Sequence, residues 1–290
     1  MLRKAVVSGK FYDIEFGKLD KQIRNSFLGT FGPGEMPIKK RSRKIYGAIV
    51  PHAGYSLSGQ CAAWVYKDLA ESEIPDVYVV IGSNHTGEGP EMSTYLFGDW
   101  ETPFGIVKID TEFGKELVKK CPDLANESTA HISEHSVEVQ LPFLQFINKE
   151  NLRDLKVLPI VVKDCSHDAC CRLADAITDI GKKVCVIAST DLTHYGPAYN
   201  YVPFLHAKKD NLAKLDKQFL NLAANMDSKE LIKTRSKNTI CGTSAMAMVI
   251  EVCKYYGIKR GNFLRYYSSG DITEDFNNAV GYGSMIFEKK

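Results

Sequence analysis

The chain has 290 residues, 44% hydrophobic and 25% charged, enough to bury roughly three quarters of its unfolded surface and unlike a disordered composition. Its 37 basic residues are balanced by 35 acidic ones, a formal net charge of +2 that argues against a general affinity for nucleic acid or anionic membrane. No apolar stretch approaches the length of about 20 residues that a membrane span needs, and the opening "MLRKAVVSGKFYD" lacks the apolar core of a signal peptide; a cytoplasmic protein with no membrane partner is expected.

Along the chain, the basic run "KKRSRK" from Lys39 to Lys44 follows the loop-like "GPGEMP" and reads as a solvated approach to a strand. That strand is "YGAIVP" from Tyr46, and the helix-like "SGQCAAWVYKDLAES" comes after it. A second apolar run, "DVYVVIGS" from Asp76, is followed further on by the helix-like "HSVEVQLPFLQFINKENL" from His135. Then come the strand "LKVLPIVV" from Leu155, the helix "SHDACCRLADAITDIGKK" with Ser166 as N-cap and Gly181 at its end, and the strand "KVCVIAST" from Lys183. The runs are short, β-branched and nearly continuous, the pattern of strands covered on both faces. Strand and helix alternate, which predicts βαβ units and a mostly parallel sheet.

Beyond Tyr199 the pattern turns helical through "LHAKKDNLAKLDKQFLNLAANM" and "GTSAMAMVIEVCKYYG", and it closes with two strands, "NFLRYYSSGD" and "AVGYGSMIFEK". There is no repeat, low-complexity tract or long linker, so one α/β domain over residues 1–290 is expected. The 8 cysteines are scattered with no CxxC pair, and most read as small buried hydrophobes rather than disulfide partners.

In open α/β sheets ligands bind beyond the carboxyl ends of the strands. Three of the four runs end in polar residues there: His52 in "PHAGY", Asn84 and His85 in "GSNHTG", and Asp191 and His194 in "STDLTHYG". His135 of "ISEHSVEVQLPF" sits in a similar turn, whereas His131, His167 and His206 look dispensable. Gly54, Gly82 and Gly87 read as residues that shape these turns. No GxGxxG, GxxxxGK[ST] or GxSxG occurs, which argues against a phosphate cradle and a nucleophile elbow. Two histidines from separate strand ends suit a metal site completed by one anionic ligand. Asp191, Glu134, Glu138 and a cysteine thiolate are all candidates for it, and spacing does not choose among them.

The motifs "VSGKFY", "VPHAGYSLSG", "GSNHTG", "TPFG", "EHSVEVQLPFLQ", "ASTDLTHYG" and "ICGTSA" resemble, in order and spacing, those of the Memo family. Its archaeal and bacterial members are often called AmmeMemoRadiSam system protein B. The resemblance spans nearly the whole chain. It implies a three-layer α/β/α domain like that of LigB-type class III extradiol dioxygenases, which hold Fe(II) with two His and one carboxylate. The family keeps both histidines and places a cysteine at the third position, so the implied ligands are His52, His85 and Cys241 of "ICG".

Such a donor set suits copper(I) and also holds iron(II). The resemblance further implies that Asp191 and His194 line the same pocket, with His194 as acid or base and its proton oriented by Asp191. His135 and Glu138 are nearby binding candidates, as is Asn84, while Tyr55 of "HAGY" reads either as a pocket residue or as core packing. "FYD" stands where "FYP" is common, and "CGTSA" where "CGxxP" is, the second altering the pocket wall.

The implied function is a metal-dependent oxidoreductase acting with AMMECR-type and radical SAM partners. The chain has no CxxxCxxC and is therefore not the radical SAM component. The alternative is a scaffold for a small molecule or peptide, since animal members of the family are described as binding phosphotyrosine peptides; no arginine occurs in the motifs around His52, His85, Asp191 or Cys241 to support that mode.

Overall fold

A computed structural model describes residues 2–38 and 42–289. The first half contains β1 (Leu2–Arg3), α1 (Phe16–Leu28), β2 (Lys44–Val50), α2 (Tyr55–Ala70), β3 (Val77–Ser83), β4 (Met92–Thr94), β5 (Asp99–Thr102), β6 (Gly105–Ile109), α3 (Thr111–Lys120), β7 (Ala125–Asn126), α4 (Thr129–Ile132) and α5 (Leu141–Ile147). The second half contains β8 (Lys156–Val162), α6 (His167–Asp179), β9 (Val184–Ser189), β10 (His194–Tyr195), α7 (Lys208–Ala224), α8 (Ser228–Thr234), α9 (Thr243–Tyr255), β11 (Asn262–Ser268), α10 (Gly270–Thr273) and β12 (Ala279–Lys289).

The four apolar runs are the neighbouring strands β8, β3, β9 and β2, all parallel, and the full order is β1-β5-β6-β8-β3-β9-β2-β12-β10. β12 joins β2 antiparallel and carries β11 on its other side, so the sheet is mixed but mostly parallel at its centre. Successive side chains on each central strand enter opposite cores. On β3, Val77, Val79 and Ile81 pack with Leu173 and Ile177 of α6 and Met246 and Val249 of α9, whereas Tyr78 and Val80 pack with Ile23 of α1, Val65 of α2 and Phe143 of α5. Both faces are covered, and this is why the runs lack an apolar-polar alternation.

Register positions the site. Val50 of β2 lies opposite Ser189 of β9, and Ser189 lies opposite Gly82 of β3. The residues that follow these three strands therefore emerge side by side at one sheet edge. Gly82 has to be glycine, because a Cβ there would fall 2.3 Å from the Ser136 hydroxyl.

Two local expectations differ in detail. The helix expected from His135 is confined to α5, with single 3-10 turns on either side, because Pro142 fits only in a first turn and prevents a helix from entering it upstream. Lys39, Lys40 and Arg41 of the basic run lie outside the described residues; Arg43 is ion-paired with Asp68 and Glu288 at 2.7 and 2.8 Å. Ser166 caps α6 as expected, accepting from the Ala169 N–H at 3.2 Å. Among the described residues no helix is long and apolar enough to cross a membrane.

Candidate metal centre

His52 follows β2 and is buried. Its backbone is fixed by Asp191, whose Oδ1 accepts from the N–H groups of His52 at 2.8 Å and Ala53 at 3.3 Å. The ring is oriented by a chain of donors and acceptors. Tyr66 Oη donates to Gln140 Oε1 at 2.6 Å, and Gln140 Nε2 donates to the Pro51 carbonyl at 2.9 Å and to Ser189 Oγ at 2.7 Å. The single Ser189 hydroxyl proton goes to the Ser136 carbonyl at 2.5 Å. Ser189 Oγ must therefore accept from His52 Nδ1, 3.1 Å away, so Nδ1 carries the ring proton and Nε2 presents a lone pair.

His85 follows β3, with its side chain about one third exposed. Buried Glu134 accepts from the His85 ring Nδ1 at 2.9 Å and from its backbone N–H at 2.6 Å, and also from the N–H groups of His135 and Ser136. A carboxylate only accepts, so the proton is on Nδ1 and Nε2 is the outward nitrogen. Burial is the largest influence on His85 and disfavours its charge, but the Cys241 sulfur and Glu134 outweigh it and raise the pKa to about 9. For Glu134 burial pushes upward, and the His85 hydrogen bond and charge with the Ser136 N–H outweigh it, holding the carboxyl at about 2.

Cys241 arrives on the segment before α9, and its Sγ lies 3.3 Å from His52 Nε2 and accepts from the Asp191 N–H at 3.3 Å. Gly242 allows that approach, since a Cβ would meet Thr190 Cβ at 2.5 Å and Ser83 Oγ at 3.1 Å. One ligand atom from each of His52, His85 and Cys241 lies within 4.8 Å of the others. The fit to a soft or borderline metal is chemical: two imidazole nitrogens and one sulfur converge, a metal taking the place of the second proton that the raised pKa leaves on His85, while Glu134 is spent on N–H donors. Beside this cradle the buried Ser83 hydroxyl has no hydrogen-bond partner among the described residues.

The His135 ring stacks on His85 at 4.7 Å, stands 5.4 Å from His52 and is met edge-on by Phe11 at 4.7 Å. Burial first and the neighbouring His52 second push its pKa down to about 4, so it is a neutral imidazole at the wall of the site. His194 is oriented differently from the sequence reading. Its Nδ1 lies 3.1 Å from both the Leu192 and Thr239 carbonyls, so these, and not Asp191, hold its proton, because Asp191 is occupied by the turn at His52. Burial lowers its pKa, with Asp191 opposing.

Three further candidates have their groups engaged elsewhere. Asn84 builds its own turn, donating to the Glu88 carbonyl and accepting from Thr86 and Gly87. Tyr55 is buried against Tyr12 and Phe143 and donates to the Val139 carbonyl at 2.6 Å. Glu138 is fully buried and pairs with Arg3 at 2.7 Å. Conversely, Ser189, Gln140, Thr239 and Phe11 escaped the sequence reading. Ser189 and Gln140 lie inside the quoted motifs, but nothing local marks them as partners of a distant ring.

The family model described as Memo-like protein matches residues 3–286, nearly all of the chain. The chain belongs to the Memo-like family. Among the relatives, a MEMO1 family protein of Methanopyrus kandleri is 36% identical over 296 residues, covering 100% of both chains. Another, from Methanobrevibacter smithii, is 37% identical, covering 99% of this chain and 100% of the relative. A third, from Pyrococcus furiosus, is 32% identical with 100% of both covered.

Proposed function

We propose that this Memo-like protein is a cytoplasmic, metal-dependent oxidoreductase that holds iron(II) or copper(I) through His52 Nε2, His85 Nε2 and Cys241 Sγ. The observation that carries this reading is the convergence of those atoms within 4.8 Å, each ring turned to the centre by a hydrogen bond at its other nitrogen. When bound, either metal supplies one-electron redox chemistry, and three protein ligands leave positions open for a substrate or small oxidant.

The chain's own groups have separate tasks. Ser189 and Glu134 orient the ligand rings through Nδ1, and the Asp191 N–H donates to the Cys241 sulfur, which stands just ahead of α9. His194, neutral with Nδ1 tied to carbonyls, keeps Nε2 to accept a substrate proton. All 8 cysteines are free, in keeping with a reducing cytoplasm. The reading extends to AMMECR-type and radical SAM partners, which pull-down from the native host would detect.

The deciding experiment loads the purified chain anaerobically with Fe(II) or Cu(I) and counts metal per chain by mass spectrometry. Stoichiometric uptake is expected in the wild type and loss in Cys241→Ala and His52→Ala. Equal uptake in the variants would overturn the site, and no retained metal would favour a small-molecule or peptide scaffold instead.

A further inference from the structure

Six of the cysteines are buried, and the two that are partly exposed, Cys241 and Cys171, each lie beside a histidine ring. We propose that Cys171, with His167 and Glu251, forms a second metal site, selective for a borderline divalent cation such as zinc. His167 and Cys171 are four residues apart on α6 and so share one face, and Glu251 reaches them from α9, which packs on α6. His167 Nε2 is 3.4 Å from Glu251 Oε1 and 4.0 Å from Cys171 Sγ, and one ligand atom from each of the three residues lies within 4.8 Å of the others. A tetrahedral zinc, with Zn–N and Zn–O near 2.1 Å and Zn–S near 2.3 Å, sets its ligands roughly 3.4 to 3.6 Å apart. The histidine and glutamate already meet that spacing, and the sulfur has only a short way to close.

The set is open to solvent but not loose. The His167 and Glu251 side chains are 26% and 15% exposed, so an ion can enter. Ser228 Oγ lies 3.0 Å from His167 Nε2 and is hydrogen-bonded to Glu251 and, at 3.2 Å, to Lys254 Nζ, placing an oxygen as a fourth donor group at the cluster. Lys254 Nζ, 2.7 Å from Glu251 Oε1, supplies the positive charge next to this carboxylate, on a side chain 40% exposed and able to swing away. A dication would take its place, displacing the thiol proton of Cys171 as it binds. The cluster shares no residue with the first centre, and Glu251 lies eight residues beyond Thr243, roughly 12 Å along α9. An ion there ties α6 to α9, whose other end follows Cys241.

The test titrates zinc against a chromophoric chelator, using the His52→Ala/Cys241→Ser chain so that the first centre is removed. One equivalent is expected, with a rise in melting temperature, lost when Cys171→Ser or His167→Ala is added and tightened at least several-fold by Lys254→Met. If the double variant does not fold, the wild type decides: two equivalents, falling to one in Cys171→Ser and, separately, to one in Cys241→Ala. Failure of either site leaves the other countable. A double variant that binds no zinc, or uptake unchanged by Cys171→Ser and His167→Ala, would overturn the second site.

Discussion

The motif "EHSVE" carries two buried glutamates four residues apart, and they are employed in opposite ways. Glu138 receives Arg3 at 2.7 Å, the N–H groups of Val6 and Val7 at 3.0 Å and the Tyr12 hydroxyl at 2.7 Å, which fastens the N-terminal segment to the body. Glu134 receives backbone N–H groups too, but one of its donors is the His85 ring, which keeps a second nitrogen for the site. A buried carboxylate satisfied wholly by the fold acts on stability, whereas one that holds a ring by one side acts on whatever the other side meets.

The largest effect that sharpens this contrast is expected from Glu138→Ala. Removing one partner of a buried ion pair leaves the Arg3 guanidinium uncompensated, a cost of about 3 to 5 kcal/mol in urea unfolding at neutral pH. Metal uptake per folded chain should be unchanged, and a loss of uptake without loss of stability would reverse the assignment. Glu134→Gln is expected to weaken metal binding about 10- to 100-fold in chelator competition, with a smaller stability loss.

The smallest effect is a slope. His131 borders the Glu138 node, its carbonyl accepting from Arg3 at 2.8 Å, and burial first and Arg3 second depress its pKa to about 3 from 6.5. Between those values the unfolded chain binds a proton that the folded chain refuses. The stabilising contribution is therefore complete above pH 6.5 and declines as pH falls toward 3, by about 1.4 kcal/mol per unit. Stability measured from pH 6.5 to 5 should fall less steeply by that amount in His131→Asn, and equal slopes would place its titration elsewhere.

How much of this was legible varies by element, for physical reasons. The strands β2, β3, β8 and β9 stood out because burial on both faces demands unbroken β-branched runs, whereas β4, β7 and β10 have only two or three residues and no periodicity to read. The insertion of β9 between β2 and β3, which sets Val50, Ser189 and Gly82 abreast, is a long-range pairing that no local pattern encodes. At the site, strand ends pointed to His52 and His85, but Cys241 was one of several candidate third ligands until the family motifs singled it out. The His194 ring was misread because a neighbouring aspartate in sequence turned out to face the other way, toward the His52 turn.

The order in which the donors occur along the chain has a consequence for biosynthesis. A polypeptide still leaving the ribosome presents His52 and His85 long before Cys241, and the Ser189 that orients His52 comes between them. The complete donor set exists only once the C-terminal part has been made and folded. Capture of an ion by this set would thereby wait for the C-terminal part, since a chain that stops before Cys241 lacks the third donor.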